Sequence, residues 1–266
     1  MMERQKSIGI FDSGVGGLSI GKAIQAMLPE ENLVYFADLE CSPYGNKPKD
    51  IIMKRSEDII TFLRDQSCKL VVVACNTATV NSIADLRAKL SIPIVGVEPA
   101  IKPAALLSES GVIGVLATAQ TLQSESFKML KSRYASNVNI ETQACPEFVS
   151  IVEQLEHNDE SATQIAEQYI RPLLQQGSDQ IVLGCTHFSF LRAAIESVVG
   201  NKANIIDTAI PVAIEVKRRL DMLKLHNSKS NPGGIKFWAS ADSAKAAKTI
   251  SELWQQDIEV SHAKIY

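Results

Sequence analysis

The sequence lacks the features that mark membrane, zinc-binding and nucleic-acid-binding proteins. No apolar run approaches the length of about 18 residues that a transmembrane helix needs, so we expect no membrane partner. None of the five cysteines lies in a CxxC pair, which argues against zinc and thioredoxin-like sites. The 27 basic residues are balanced by 30 acidic ones, for a net charge of −3. We therefore expect no nucleic-acid partner, because such binding needs a concentrated basic excess.

What is present is the composition of an ordinary globular protein. The chain has 266 residues, of which 45% are hydrophobic and 21% charged. At roughly 150 residues per domain, this length fits one large domain or two ordinary ones. The first residues are mostly polar and an apolar strand follows at once, so we expect no signal peptide and a cytoplasmic location. In that reducing compartment the cysteines would be free thiols.

Short apolar runs alternate with amphipathic helical segments along the chain. Strands are predicted at residues 7–11, 33–37, 70–74, 93–97, 112–117, 180–184, 204–206 and 235–238. Helical patterns fill most of the intervals between them. This alternation predicts an α/β fold with parallel sheets covered by helices on both faces.

A weak internal sequence repeat divides the chain into two halves of similar design. Residues 70–83 and 180–193 each contain a buried strand, a cysteine, two polar residues and a helix. Residues 8–13 and 113–118 resemble each other in the same way. We expect the chain to cross between the halves near residues 97–104, and its tail to return to the first half. The predicted domains are residues 1–98 plus 208–266, and residues 99–207.

Two cysteines occupy equivalent positions of this repeat, each where a predicted strand ends and a helix begins. Cys75 and Cys185 would then face a ligand crevice, because ligands bind at the carboxyl ends of parallel strands. A helix N-terminus favours thiolate over thiol, although a buried cysteine can also be a small apolar residue. His187 follows Cys185 by two residues and could lower the thiol pKa or stabilise developing charge. The other cysteines have no such counterpart and are interpreted as incidental: Cys41, Cys68 and Cys145.

The glycine-rich segment from Asp12 to Gly17 also follows a strand and precedes a helix. It suggests a dinucleotide-binding turn, but the third glycine of GxGxxG would fall on Ser19. The carboxylate of Asp12 would also lie beside the pyrophosphate. We therefore interpret Asp12 as a group that orients a ligand amine or a neighbouring thiol, with a helix cap as the alternative.

These motifs together resemble those of glutamate racemase, in the order that the family shows. They are Ile10-FDSGVGGLS, Tyr35-FAD, Pro43-Tyr44-Gly45, Ala74-CNTAT, Gly96-VEPAIKPA, Leu116-AT and Leu183-GCTHF. The resemblance extends over nearly the whole chain. It implies two doubly wound, pseudo-symmetric parallel-sheet domains with the active site in the cleft between them.

The resemblance also implies a racemase that needs no cofactor and no metal. Cys75 would remove the α-proton of D-glutamate and Cys185 that of L-glutamate. In each direction the other cysteine, as a thiol, would deliver a proton to the opposite face of the substrate. Asp12 would assist Cys75, whereas His187 and Glu153 would assist Cys185. The product D-glutamate would supply peptidoglycan synthesis. Where the protein forms an oligomer, we expect a homodimer.

Further residues of the motifs are expected to bind the two carboxylates and the amine of the substrate. The predicted binding set is Asp12, Ser13, Tyr44, Gly45, Asn76, Thr77, Thr118, Thr121, Thr186 and His187. No Lys or Arg lies among them, so helix N-terminal amides would stabilise much of the negative charge. The alternatives are an aspartate racemase of the same superfamily, a hydrolase using Cys185 and His187, and a nucleotide-binding module.

Overall fold

The computed structural model describes residues 3–227 and 231–265. Its strands form two separate parallel sheets. The strands of the first sheet are β1 (Ser7–Asp12), β2 (Leu33–Ala37), β3 (Cys68–Val73), β4 (Ile94–Gly96), β9 (Ile235–Ala239) and β10 (Val260–His262). Those of the second are β5 (Val112–Ala117), β6 (Asn139–Ala144), β7 (Gln180–Leu183) and β8 (Asn204–Ile206).

The order of strands repeats between the two sheets. The larger sheet runs β10-β9-β2-β1-β3-β4, and the smaller runs β6-β5-β7-β8. The last four strands of the larger sheet, β2-β1-β3-β4, therefore have the same order as the whole smaller sheet, with β1 matching β5 and β3 matching β7. In each sheet the strand order reverses direction beside the first strand, which is where doubly wound folds bind ligands. The predicted pseudo-symmetric pair of doubly wound sheets is confirmed.

Helices connect the strands and cover the sheets. They are α1 (Leu18–Met27), α2 (Lys49–Asp65), α3 (Asn76–Lys89), α4 (Ile101–Leu107), α5 (Ala119–Gln123), α6 (Glu125–Tyr134), α7 (Pro146–Glu153), α8 (Glu160–Gln175), α9 (Arg192–Val199), α10 (Ala209–Leu223) and α11 (Ser243–Trp254). Short 3₁₀ turns occur at Glu3–Gln5, Tyr44–Asn46 and Thr186–Leu191. No helix of the described ranges is long and apolar enough to cross a membrane.

Three elements differ from the prediction. Strand β6 is missing from it, because this edge strand carries mostly polar and partly exposed side chains rather than an apolar run. Strand β10 is also missing, since it is only three residues long and mostly exposed. The predicted crossing segment contains helix α4, which tolerates Pro103 because the proline lies within its first turn.

The chain returns to the first sheet after the second is complete. Strand β9 pairs with β2, and β10 pairs with β9, as expected for a tail that joins the first half. The boundaries at residues 98/99 and 207/208 stay a prediction; residues 1, 2, 228–230 and 266 of those ranges lie outside the described residues.

One hydrophobic core connects the two halves. It contains Ile10 and Val72 from the first sheet together with Leu116 and Leu183 from the second. Two smaller clusters cover the other faces of the two sheets. Apolar burial is thus continuous from one half to the other.

Candidate active site

The two cysteines of the repeat open into one cavity between the two sheets. Cys75 follows β3 after one residue, and Cys185 follows β7 after one residue. Both line the same cavity of about 230 Å³, and both are nearly buried. Equivalent positions in the two halves therefore place two thiols at one ligand-sized space.

The thiol of Cys75 forms the N-cap of α3. Its sulfur lies 3.4 Å from the Ala78 amide nitrogen and 3.4 Å from the Ser13 hydroxyl oxygen. Burial raises the pKa of Cys75 to about 12, with the nearby Asp12 carboxylate adding to the rise and both hydrogen bonds opposing it. This direction is opposite to that expected from the helix N-terminus, because desolvation is the larger effect. Cys75 is therefore a protonated thiol at neutral pH.

Cys185 is accompanied by a histidine and a carboxylate. Its sulfur lies 3.8 Å from Nδ1 of His187, and Nε2 of the same ring lies 2.8 Å from Oε1 of Glu153. Burial alone would lower the pKa of His187, but its interactions with Cys185 and Glu153 raise it well above its ordinary value. A proton is thus held on the ring beside the sulfur.

Asp12 links the two halves. This buried carboxylate accepts hydrogen bonds from the Gly14 amide at 2.8 Å and, from the second half, the Thr186 hydroxyl at 3.0 Å. Burial raises the pKa of Asp12, while His187 and the two hydrogen bonds lower it. Asp12 is the last residue of β1, and the N-cap of α1 is Gly17, so the helix-cap alternative is wrong. Its influence on Cys75 is electrostatic.

The glycines after Asp12 are explained by a close approach of the halves. A Cβ on Gly14 would lie 2.1 Å from Oε1 of Glu153, and one on Gly16 would lie 2.4 Å from Nδ1 of His187. The Val15 amide between them donates to Oε1 of Glu153 at 3.2 Å. The turn therefore makes room for the histidine and glutamate that accompany Cys185, which is a different role from binding a dinucleotide.

Neutral hydrogen-bonding groups form another wall of the cavity. The hydroxyl oxygens of Thr77, Thr118 and Thr121 lie 2.9–3.2 Å from one another. Asn76 is buried, and within the described residues its Oδ1 has no hydrogen-bond partner. A buried polar atom left unpaired beside a cavity is available to a ligand.

Comparison with known proteins decides the family. The model of the Asp/Glu/Hydantoin racemase family matches residues 18–214. The chain belongs to this family. It is accordingly an isomerase, and the resemblance to glutamate racemase noted in the sequence is confirmed.

Similarity to individual racemases covers nearly the full length. The chain is 44% identical over 261 residues to a glutamate racemase of Pseudomonas putida, covering 98% of each chain. It superposes on the crystal structure of glutamate racemase isoform RacE1 from Bacillus anthracis with a TM-score of 0.90, at 29% identity and 98% coverage of both chains. Escherichia coli glutamate racemase, in complex with L-glutamate and the activator UDP-MurNAc-Ala, matches at a TM-score of 0.84 and 30% identity, covering 98% of this chain and 99% of that one.

The structure of this racemase brings together the residues that the sequence singled out. The cavity is lined by Ser13, Tyr44, Gly45, Cys75, Asn76, Thr77, Thr118, Cys185, Thr186 and His187. Three others lie behind this lining and contact it: Asp12 through Thr186, Thr121 through Thr118, and Glu153 through His187. No Lys or Arg occurs among the lining residues of the described chain.

Sequence reasoning missed several lining residues of the racemase. Asn46 and Ala119 continue motifs that were recognised, whereas Pro146, Val149 and Ser150 lie on helix α7. These three residues have the spacing that places them on one helix face with Glu153. This spacing is the sequence feature that could have identified them as cavity-lining residues. Sequence reasoning predicted a helix around residues 147–155 but assigned only its Glu153 to the site.

Proposed function

We propose that this enzyme interconverts L- and D-glutamate by proton transfer between Cys75 and Cys185, without a cofactor. The full-length similarity to proteins named glutamate racemase supports glutamate over aspartate as the substrate. The structure of the Escherichia coli relative with L-glutamate supports the same choice.

A single observation carries the two-base mechanism. Two buried thiols reach one cavity from equivalent positions of two pseudo-symmetric halves. The substrates of a racemase are mirror images, so the chemistry needs two acid–base groups of the same kind on opposite faces of the α-carbon. A hydrolase using Cys185 and His187 would leave the second thiol without a role.

The surroundings of each sulfur fit its proposed task. Cys75, as a protonated thiol, is ready to deliver a proton while Cys185 removes one from L-glutamate. His187, whose pKa is raised by its interactions with Cys185 and Glu153, stabilises negative charge on the Cys185 sulfur. In the reverse direction Cys75 removes the proton from D-glutamate, with Ser13 and the Ala78 amide stabilising its thiolate.

Neutral donors bind the two substrate carboxylates in this proposal. The hydroxyls of Thr77 and Thr118 lie at the cavity, and α3 directs its N-terminal amides toward it. Asn76 Oδ1, which lacks a partner among the described residues, accepts a hydrogen bond from the substrate ammonium. By the family resemblance, the D-glutamate formed supplies peptidoglycan synthesis in the cytoplasm.

Incubation with each glutamate enantiomer in heavy water tests the proposal. The expected result is loss of optical rotation together with one deuterium at the α-carbon of the product, in the absence of any added metal or pyridoxal phosphate. Activity that disappears on dialysis and returns with either addition contradicts the cofactor-free mechanism. An acyl-enzyme trapped on Cys185 would instead support the hydrolase.

A further inference from the structure

A buried carboxylate outside the reacting groups lies at the end of strand β2. Asp38 follows β2 directly, and its amide donates to the carbonyl oxygen of Asp12 at 3.0 Å. Its side chain is fully buried. Asp38 is therefore connected through the backbone to the catalytic edge of the sheet, but it is not among the residues that line the cavity.

Four hydrogen bonds converge on this carboxylate. The Tyr44 hydroxyl donates at 2.5 Å and the Ser240 hydroxyl at 2.8 Å. Arg55 donates from Nε at 3.0 Å and also from Nη2. The remaining guanidinium nitrogen, Nη1, donates to the carbonyl oxygen of Ile265 at 2.8 Å. One ion pair thus joins the Tyr44 turn, helix α2, the end of β9 and the C-terminal segment.

Tyr44 carries this network to the substrate cavity. The 3₁₀ turn Tyr44–Asn46 lines the cavity, and a Cβ on Gly45 would lie 3.2 Å from Cβ of Thr118 in the other half. The Tyr44 hydroxyl is engaged by Asp38, so the ring serves as a wall and not as a hydrogen-bond donor to a ligand. The position of the Tyr44 ring is therefore fixed by its hydrogen bond to the Asp38 carboxylate, on the side away from the cavity.

We propose that Asp38 and Arg55 form a positioning pair that holds the Tyr44–Gly45 wall against Thr118 and so sets the affinity of the site for its substrate. The proposal rests on glutamate being that substrate. Arg55 does not itself bind a substrate carboxylate, because its nitrogens are directed to Asp38 and to the Ile265 carbonyl. The pair acts through Tyr44 and belongs to neither acid–base group.

The same sheet contains a matched control at its opposite end. Lys69, near the start of β3, and Glu31, just before β2, form a second buried ion pair at 2.5 Å. Both pairs are buried and both join separate segments of the chain. The Lys69–Glu31 pair, however, lies at the starts of the strands, which is the edge of the sheet opposite the cavity. Breaking either pair should lower stability, whereas only the loss of the Asp38–Arg55 pair should alter substrate affinity.

Steady-state kinetics and thermal unfolding of a small variant set test this proposal. Asp38→Asn and Arg55→Met break the pair, Arg55→Lys keeps the charge, and Tyr44→Phe removes one hydrogen bond while leaving the pair intact. We expect KM for both glutamate enantiomers to rise by at least about tenfold in Asp38→Asn and Arg55→Met, with kcat within about threefold. Arg55→Lys should recover part of the loss. Glu31→Gln should lower the unfolding midpoint with an unchanged KM.

A double variant separates positioning from general destabilisation. If Asp38 acts through Tyr44, the two substitutions affect KM through the same contact. The fold-increase in KM of the double variant Asp38→Asn/Tyr44→Phe will then be well below the product of the fold-increases of the two single variants. Fold-increases in KM that simply multiply in the double variant would overturn the proposal. A KM that rises as much in Glu31→Gln as in Asp38→Asn would overturn it as well. Tyr44→Phe preserves the ion pair, so an unchanged KM in this folded variant counts equally against it. Wild-type enzyme without activity on glutamate would instead refute the proposed function.

Discussion

Gly16 lies so close to His187 that a Cβ at this position would be 2.4 Å from Nδ1 and 2.6 Å from the backbone nitrogen of the histidine. The glycine belongs to the first half of the chain and the histidine to the second. Their contact fixes the imidazole that lies beside Cys185. A glycine is thus required at residue 16 so that His187 can lie beside Cys185.

Replacing Gly16 by alanine should damage catalysis. The methyl group can be accommodated only by moving His187 or the turn, and overpacking of this kind costs about 1–3 kcal/mol. Because a displacement of about 1 Å in the catalytic geometry can cost about 100-fold in rate, we expect kcat/KM to fall by at least roughly tenfold. Gly234→Ala is the control, since a Cβ there meets no atom of the described residues within 4 Å. Equal activity of the two variants would show that this contact does not matter.

Much of this architecture is predictable because it depends on local patterns. The strands β3 and β7 are continuous apolar runs followed by a cysteine, so the two thiols could be placed from sequence. Strand β6 could not, since a half-exposed edge strand has no apolar run to mark it. The site contacts across the halves also escape sequence reasoning. Asp12 and Thr186 are 174 residues apart, and only the packed fold brings them to 3.0 Å.

The Thr186 hydroxyl is expected to hold Asp12 in place, because it donates its hydrogen bond to that carboxylate. Its removal in Thr186→Val leaves a buried carboxylate oxygen short of a donor, at a cost of about 1.5–3 kcal/mol for a bond to a charged group. Since Asp12 is then free to shift from its place near Cys75, we expect kcat/KM to fall by roughly 10- to 100-fold. Thr186→Ser retains the hydroxyl and should stay within a few-fold of wild type. Wild-type kinetics in Thr186→Val would remove this hydroxyl from the mechanism.

The charge of Glu153 should be visible in the titration of His187. Because the carboxylate stabilises the protonated ring, Glu153→Gln is expected to lower the pKa of His187. Nuclear magnetic resonance of the histidine ring protons over a pH series measures this directly. The resonances of His262, which contacts the Ser240 carbonyl, serve as the control. A His187 titration that is identical in both proteins contradicts the assigned interaction.

Stability should decline in alkaline solution, partly because of Cys75. The pKa of this thiol is raised from 9.0 to about 12 by burial, so the folded state binds the proton more tightly than the unfolded state. The resulting stabilisation is complete below pH 9.0 and is lost as the pH rises toward about 12. Urea unfolding should therefore show a weaker pH dependence in Cys75→Ser than in wild type over this interval. Parallel curves would argue against a buried, protonated Cys75.

The two-base mechanism is tested most directly by elimination from β-chloroglutamate, in which proton removal alone commits the analogue to lose chloride. Racemisation rates cannot distinguish the two thiols, since enantiomers have equal free energies and any variant must keep equal kcat/KM in both directions. Cys75→Ala is expected to eliminate chloride from the L analogue only, where Cys185 is the base. Cys185→Ala should eliminate from the D analogue only. Release of chloride from both analogues at similar rates by either variant would contradict proton transfer from opposite faces.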